Sequence, residues 1–181
     1  MPFRKVRPPT STPGWMLKRQ FKMPKLCYDT LAKLSNRPHF ERFRASVEQM
    51  LAARGDDIAF MVLFGSMATG KWMPYSDYDL LIGLNKDDGL RFIDRIGEFQ
   101  RFVQTDIDVF PYSKSEWQKM FEDYHLLLLE AMDKGIVLWD DDSFARMRER
   151  FLQWQREGIL QRRERGWRVV VKSAGSYQAG H

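Results

Sequence analysis

A single cysteine, Cys27, stands among 181 residues. An internal disulfide framework and a cysteine-rich zinc site are therefore both excluded. Histidine is nearly as scarce, with three copies. His39 and His125 fall on helical stretches without partner ligands at metal spacing, and His181 falls in the tail. No apolar run approaches the ~20 residues of a membrane span. No signal-like apolar segment is present either, so a cytoplasmic protein with no membrane partner is expected. What the chain does contain is 44% hydrophobic and 14% aromatic residues. That is enough to core one globular domain with some extra helix, and too little chain for two.

The net charge of +5 is unevenly spread. Residues 1–44 carry +9, residues 45–142 carry −10 and residues 143–181 carry +6. An acidic middle can hold cations, and basic ends can face nucleic acid, a nucleotide or an acidic partner. Plain solvation of exposed helices accounts for the basic ends equally well.

Five of the eight prolines lie within residues 1–24, where no apolar period survives, so an extended arm is expected. A short helix fits Leu26 to Leu34. The first firm helix follows Asn36, with Pro38 in its first turn, Phe40, Phe43, Val47, Met50 and Leu51 on one face, and Gly55 as its stop. Ile58 to Phe64 is almost continuously apolar, as in a strand buried on both faces. Asp77 to Gly83 reads as a second strand. Asp87 opens a helix with an apolar stripe of Phe92, Ile93, Ile96, Phe99 and Val103. A third strand, Asp106 to Phe110, stops at Pro111. Capping boxes at Ser113–Glu116 and Ser115–Gln118 open one helix that runs to Gly135. Ile136 to Trp139 is a fourth strand, and a last helix runs from Ser143 to about Arg165. The expected architecture is α/β (α+β), a small mixed sheet flanked by helices. The chain divides into a basic proline-rich arm (1–35), a central domain (36–140), a C-terminal helical extension (141–172) and a flexible tail (173–181).

Three strand-borne features carry chemistry. Gly65-Ser66 follows the first buried strand, where glycine permits a sharp turn and the Ser66 hydroxyl with nearby amides suits a phosphate. Asp77 and Asp79 sit two apart on a strand, hence on one face about 7 Å apart along the chain. Such a pair repels itself unless a cation intervenes, and it suits two divalent ions about 3.5–4 Å apart. An isolated Asp-x-Asp is more often a solvated surface pair, but Leu80, Leu81 and Ile82 place this one at the mouth of a buried strand. Asp108, with Asp106 two residues earlier, puts a further carboxylate on another strand, able to complete a metal site or accept a proton.

Gly65-Ser66, ten intervening residues and then Asp77-Tyr78-Asp79 resemble the Gly-Ser-x10-Asp-x-Asp signature of the DNA polymerase β-like nucleotidyltransferases. Leu63 to Lys71 and Tyr75 to Ile82 are especially similar to the minimal nucleotidyltransferases of that superfamily, and Ile107-Asp-Val-Phe110 resembles the strand bearing their third carboxylate. The likeness covers roughly residues 40–140. It implies a two-metal transfer of a nucleoside monophosphate with release of pyrophosphate. Asp77, Asp79 and Asp108 would be catalytic and hold two Mg²⁺ ions, while Gly65 and Ser66 would seat the triphosphate of the substrate, ATP by the same likeness. The resemblance favours Asp108 over Asp106, because the family's third Asp is usually followed directly by apolar strand residues, as Asp108 is here. Many minimal-type enzymes accompany a small HEPN protein as toxin–antitoxin partners, so the likeness also implies AMP transfer to such a partner. Family members often carry Arg where this chain has Met67 and Thr69, and Lys71 is the expected substitute at the phosphates. Two other readings stand beside this one. The acceptor could be a small molecule or an RNA gripped by the basic termini, or the fold could be a nucleotide-binding module without turnover.

Overall fold

The structure is a computed structural model that describes residues 27–164 and 166–170. Most of the expected basic arm, the tail from 173, and Arg165 lie outside the described residues. In chain order the elements are α1 (Tyr28–Ala32), α2 (Phe40–Arg54), β1 (Ile58–Phe64), α3 (Gly65–Thr69), β2 (Tyr78–Leu84), α4 (Phe92–Gln100) and β3 (Ile107–Tyr112). They continue with α5 (Lys114–Glu122), α6 (Leu126–Lys134), β4 (Ile136–Asp140), α7 (Ser143–Arg156), β5 (Leu160–Arg163) and β6 (Gly166–Val169).

Four strands form one mixed sheet in the order β3-β2-β1-β4. β1 runs antiparallel to both neighbours, and β2 and β3 are parallel. Alternation along β1 splits the core in two, because successive side chains leave a strand on opposite faces. Met61 and Leu63 join Phe43, Val47, Met50 and Phe99 from α2 and α4. Phe60 and Val62 join Trp117, Leu128, Phe144 and Phe151 from α5, α6 and α7. The continuous apolar run of β1 is explained by burial on both sides.

The elements depart from the periodicity in five places, each with a local cause. Helix α2 begins at Phe40, not at Pro38, because His39 takes a left-handed backbone (φ 55°) and breaks the helical turn before it. Helix α4 begins at Phe92, not Asp87. Gly89 at φ 71° cannot join a helix, and Asp87 and Asp88 bond across to Ser115 and Arg95 instead. Its expected stripe is also displaced, with Ile93 64% exposed and Arg95 1% exposed. Strand β3 runs through Pro111 to Tyr112, which an edge strand allows, since proline there forfeits no inner-ladder bond.

The helix expected from Ser113 to Gly135 is two helices. Tyr124 at φ 54° interrupts it, and the His125 N–H turns back to the Met120 carbonyl. The Ser113–Glu116 capping box is the one used, with the Ser113 N–H 2.7 Å from Glu116 Oε2. Helix α7 stops at Arg156, nine residues early, where Gly158 turns at φ 72° into the antiparallel pair β5–β6. Arg162, Arg163 and Arg168 therefore lie on strands and not on a helix end. Among the described residues no helix is long and apolar enough to cross a membrane.

Candidate active site

Register assembles the carboxylates. Phe64 of β1 pairs with Asp79 of β2, which pairs with Asp108 of β3. Residues in register on adjacent strands share a face, so Asp79 and Asp108 stand side by side. Asp77 lies two residues before Asp79, just ahead of β2. The Asp79 carboxyl is pushed up to about 6, by burial first and then by the charges of Asp108 and Asp77. Asp106 exerts no comparable influence there. Its backbone carbonyl accepts the Tyr78 N–H at 2.9 Å, which joins β3 to β2 beside the site.

Gly65 closes the array from above. It turns at φ 73°, and a Cβ built on it would lie 2.0 Å from Asp79 Oδ2. Only glycine brings the turn this close to the carboxylate. Gly65→Ala therefore forces Asp79 aside and strains the turn. Transfer should fall by at least about a hundredfold, the usual penalty of displacing a reacting group by an ångström. Steady-state assay of the folded variant checks this, and unchanged activity would disconnect the turn from the chemistry.

Tyr78, between the two aspartates, must face the other way. It is buried, stacked on Phe43 (centroids 4.0 Å apart, planes 8° apart), and its hydroxyl donates to the Pro38 carbonyl at 2.7 Å. This anchor ties the mouth of β2 to the chain entering α2 and steadies the flanking carboxylates. Strand alternation is the signal that could have found it, since Asp-x-Asp facing a site requires x to face the core. Trp72, in the loop before the Asp pair, packs half-buried on the core under the Arg37 guanidinium, 5.7 Å from its ring. Arg37 Nε also bonds the Met67 carbonyl at 3.0 Å, so this cation braces the far side of the α3 turn.

Along α3 a cleft of about 720 Å³ is lined by Phe64, Gly65, Thr69 and Lys71 on one side and, on the other, by His125 at the head of α6 with Leu126, Leu127, Glu130 and Lys134. Lys71 and Gly65 thus share a cavity, while Ser66 lies in α3 outside its lining. His125, Glu130 and Lys134 carried no sequence signal, because their approach to α3 depends on the break before α6.

The donor set is all carboxylate oxygen, which matches a hard divalent cation. Two nearby cations are engaged elsewhere, Lys86 after β2 with Asp57 and Arg95 on α4 with Asp88. Among the described residues no group of three or more His, Cys, Asp or Glu side chains is placed to hold a metal ion by itself. A cation here would draw its remaining ligands from water and substrate phosphate, the usual manner of holding Mg²⁺.

The family model described as a nucleotidyltransferase domain matches residues 41–137. No curated protein matches the chain. Among solved structures, similarity is found to a protein from Sulfolobus solfataricus described as a candidate nucleotidyltransferase. Identity is 16%, covering 66% of this chain and 91% of that one, with a TM-score of 0.44. A toxin–antitoxin complex with AMP-PNP is similar at 19% identity, covering 63% and 92%, with a TM-score of 0.40. A variant of the toxin–antitoxin pair MntA–HpeT is similar at 12% identity, covering 61% and 85%, with a TM-score of 0.43.

Proposed function

This chain belongs to the nucleotidyltransferase domain family, and from that premise we propose that it transfers AMP from ATP to an acceptor hydroxyl, releasing pyrophosphate. The observation that carries this reading is the register of Asp79 with Asp108 under Gly65. Three mutually repelling carboxylates at a strand mouth are costly to keep, and a bound cation would both offset that cost and give them a chemical use. Asp77 and Asp79 would hold two Mg²⁺ ions, one of them shared with Asp108. Bound Mg²⁺ supplies Lewis acidity to the phosphoryl oxygens and lowers the cost of charge on the attacking and leaving groups.

The chain's own groups do the rest. Asp108, exposed at the edge strand, accepts the proton of the acceptor hydroxyl as its oxygen bonds the α-phosphorus. The bond from the α-phosphorus to the bridging oxygen breaks, and pyrophosphate departs. Gly65, Ser66 and Lys71 hold the phosphates, and Tyr78 keeps the two aspartates aimed at them. The acceptor we favour is a tyrosine hydroxyl on a HEPN-type partner protein, which follows from the minimal-type signature of residues 63–82.

The test is incubation with each of the four α-labelled nucleoside triphosphates and Mg²⁺, following pyrophosphate release and label transfer. Candidate acceptors are the chain itself, a HEPN-type protein, RNA and small hydroxyl compounds. Label from ATP alone, moved to protein and lost in Asp77→Asn/Asp79→Asn, is the expected result. Transfer to an RNA 3′ end, with a binding slope in salt that counts several phosphates, would replace the protein acceptor. Nucleotide bound without any transfer would leave a binding module.

A further inference from the structure

The α3 turn brings no cation to the cleft. Met67 is fully buried, and Thr69 turns its hydroxyl back to the Gly65 and Ser66 carbonyls, at 3.1 and 3.4 Å. A triphosphate lying along this turn still needs positive charge, because phosphate oxygens leaving water must be matched by charged donors. Lys71 supplies one from just beyond the turn. Across the cleft, α6 supplies Lys134, with His125 at its head.

Two acids on α6 would ordinarily cancel Lys134, namely its neighbour Asp133 and Glu130 one turn earlier. Both are drawn off by the C-terminal strand pair. Arg162 Nη1 reaches Glu130 Oε1 at 2.5 Å and Asp133 Oδ2 at 3.4 Å. The Trp167 indole N–H adds a bond to Glu130 Oε1 at 3.1 Å, and the Arg162 guanidinium lies over the Trp167 ring at 5.0 Å. The strand pair is itself fixed, since Leu160 is buried and Trp167 packs edge-on to Phe151 at 5.2 Å. Lys134 keeps only a loose approach to Asp133, at 4.0 Å, onto the oxygen that Arg162 already holds.

We propose that Lys134, facing Lys71 and joined by His125, grips the β- and γ-phosphates of the nucleoside triphosphate and the departing pyrophosphate, and that Arg162 keeps Lys134 free for this by engaging Glu130 and Asp133. The proposal rests on the transferase reading and extends its site to α6 and to strands beyond the family domain. It gives the C-terminal strand pair a part in substrate binding, and it offers a physical reason why the turn functions with Met67 and Thr69.

The test compares ATP, AMP and inorganic pyrophosphate by equilibrium titration with Mg²⁺, in the full chain and in Lys134→Met. Losing one charge-assisted contact should weaken ATP and pyrophosphate by about tenfold to a hundredfold. AMP affinity should move less than about twofold, since AMP has no β- or γ-phosphate. Lys134→Arg should restore most of the loss. Arg162→Met should show the same pattern in weaker form, as the freed Glu130 and Asp133 close on Lys134. Lys134 is half-exposed, so its variants are expected to fold, and thermal melting verifies it. Parallel losses for ATP and AMP would reduce Lys134 to part of the cleft wall, and no loss for either would remove it from the site. Both outcomes overturn the proposal while the wild type still transfers label. A wild type that binds no nucleotide overturns the transferase reading as well.

Discussion

Asp79→Asn is expected to abolish nucleotidyl transfer, by at least about a thousandfold, while making the metal-free fold more stable at neutral pH. The two effects share one cause. In the folded chain the Asp79 carboxyl titrates near 6, against an ordinary value of 3.8, because it is partly buried beside Asp108 and Asp77. Between those values the folded state retains a proton that the unfolded chain has released. Stability therefore falls as pH rises from about 4 to about 6, and it stays lowered above that. Asparagine keeps the shape and removes the charge. Because the group is only partly buried, screening limits the gain to on the order of 1 kcal/mol. Urea melts in a chelator should show the variant ahead of wild type at pH 7 and level with it near pH 4. Added Mg²⁺ should then stabilise the wild type more than the variant, since a ligand stabilises only the form that binds it. A variant that is no more stable at pH 7, or that still transfers label, would sink this account of the carboxylate array.

The parts of this molecule that could be read from sequence are those where one local rule acts alone. Burial on both faces made β1 a plain apolar run, and the two-residue period of a strand put Asp77 and Asp79 on one side. The Gly65-Ser66 turn and its spacing to that pair were visible for the same reason. Choosing between Asp106 and Asp108 depended on resemblance, and the register now sets Asp108 beside Asp79. Features that arise from a meeting of distant segments were not visible. A helical period continues across Tyr124 without sign of the break, and that break swings His125 and Lys134 to the cleft. The run after Arg156 has the charge of a solvated helix. It forms strands because Leu160 and Trp167 find an apolar wall on α6 and α7, while Arg162 finds acids on α6. On α4, apolar period favoured Ile93 for the inside, yet the position taken inward is Arg95, whose partners come from three other segments.

Arg95→Met should therefore be the most destabilising single change outside the apolar core, costing about 3–5 kcal/mol, the range for removing one member of a buried ion pair. The guanidinium is 1% exposed and its five N–H groups meet five acceptors. Nε and Nη2 fork onto the two oxygens of Asp88, each at 2.9 Å. Nη2 also reaches the Leu90 carbonyl at 2.9 Å, while Nη1 bonds the Pro111 carbonyl at 3.0 Å and Glu116 Oε2 at 2.8 Å. One side chain thus ties α4, the loop before it, the end of β3 and the cap of α5. Methionine fills much of the volume but leaves Asp88, whose side chain is 13% exposed, short of its cation. Lysine should recover less than half the loss, because a single ammonium cannot reproduce a planar five-donor fork. The Asp88 carboxyl is held below its ordinary value, chiefly by Arg95. Its stabilisation is therefore present above the ordinary pKa and lost as pH falls through the lowered one, so the gap between wild type and variant should narrow in acid. Denaturant melts at pH 7 and pH 3 measure both, and a loss under about 1 kcal/mol at pH 7 would show that the network adds little. The consequence reaches the chemistry through β3, which carries Asp108 three residues before Pro111. Assayed well below its melting temperature, folded Arg95→Met should lose about tenfold to a hundredfold in transfer rate. Its nucleotide affinity should change little, because Gly65 and Lys71 stand on segments that Arg95 does not touch.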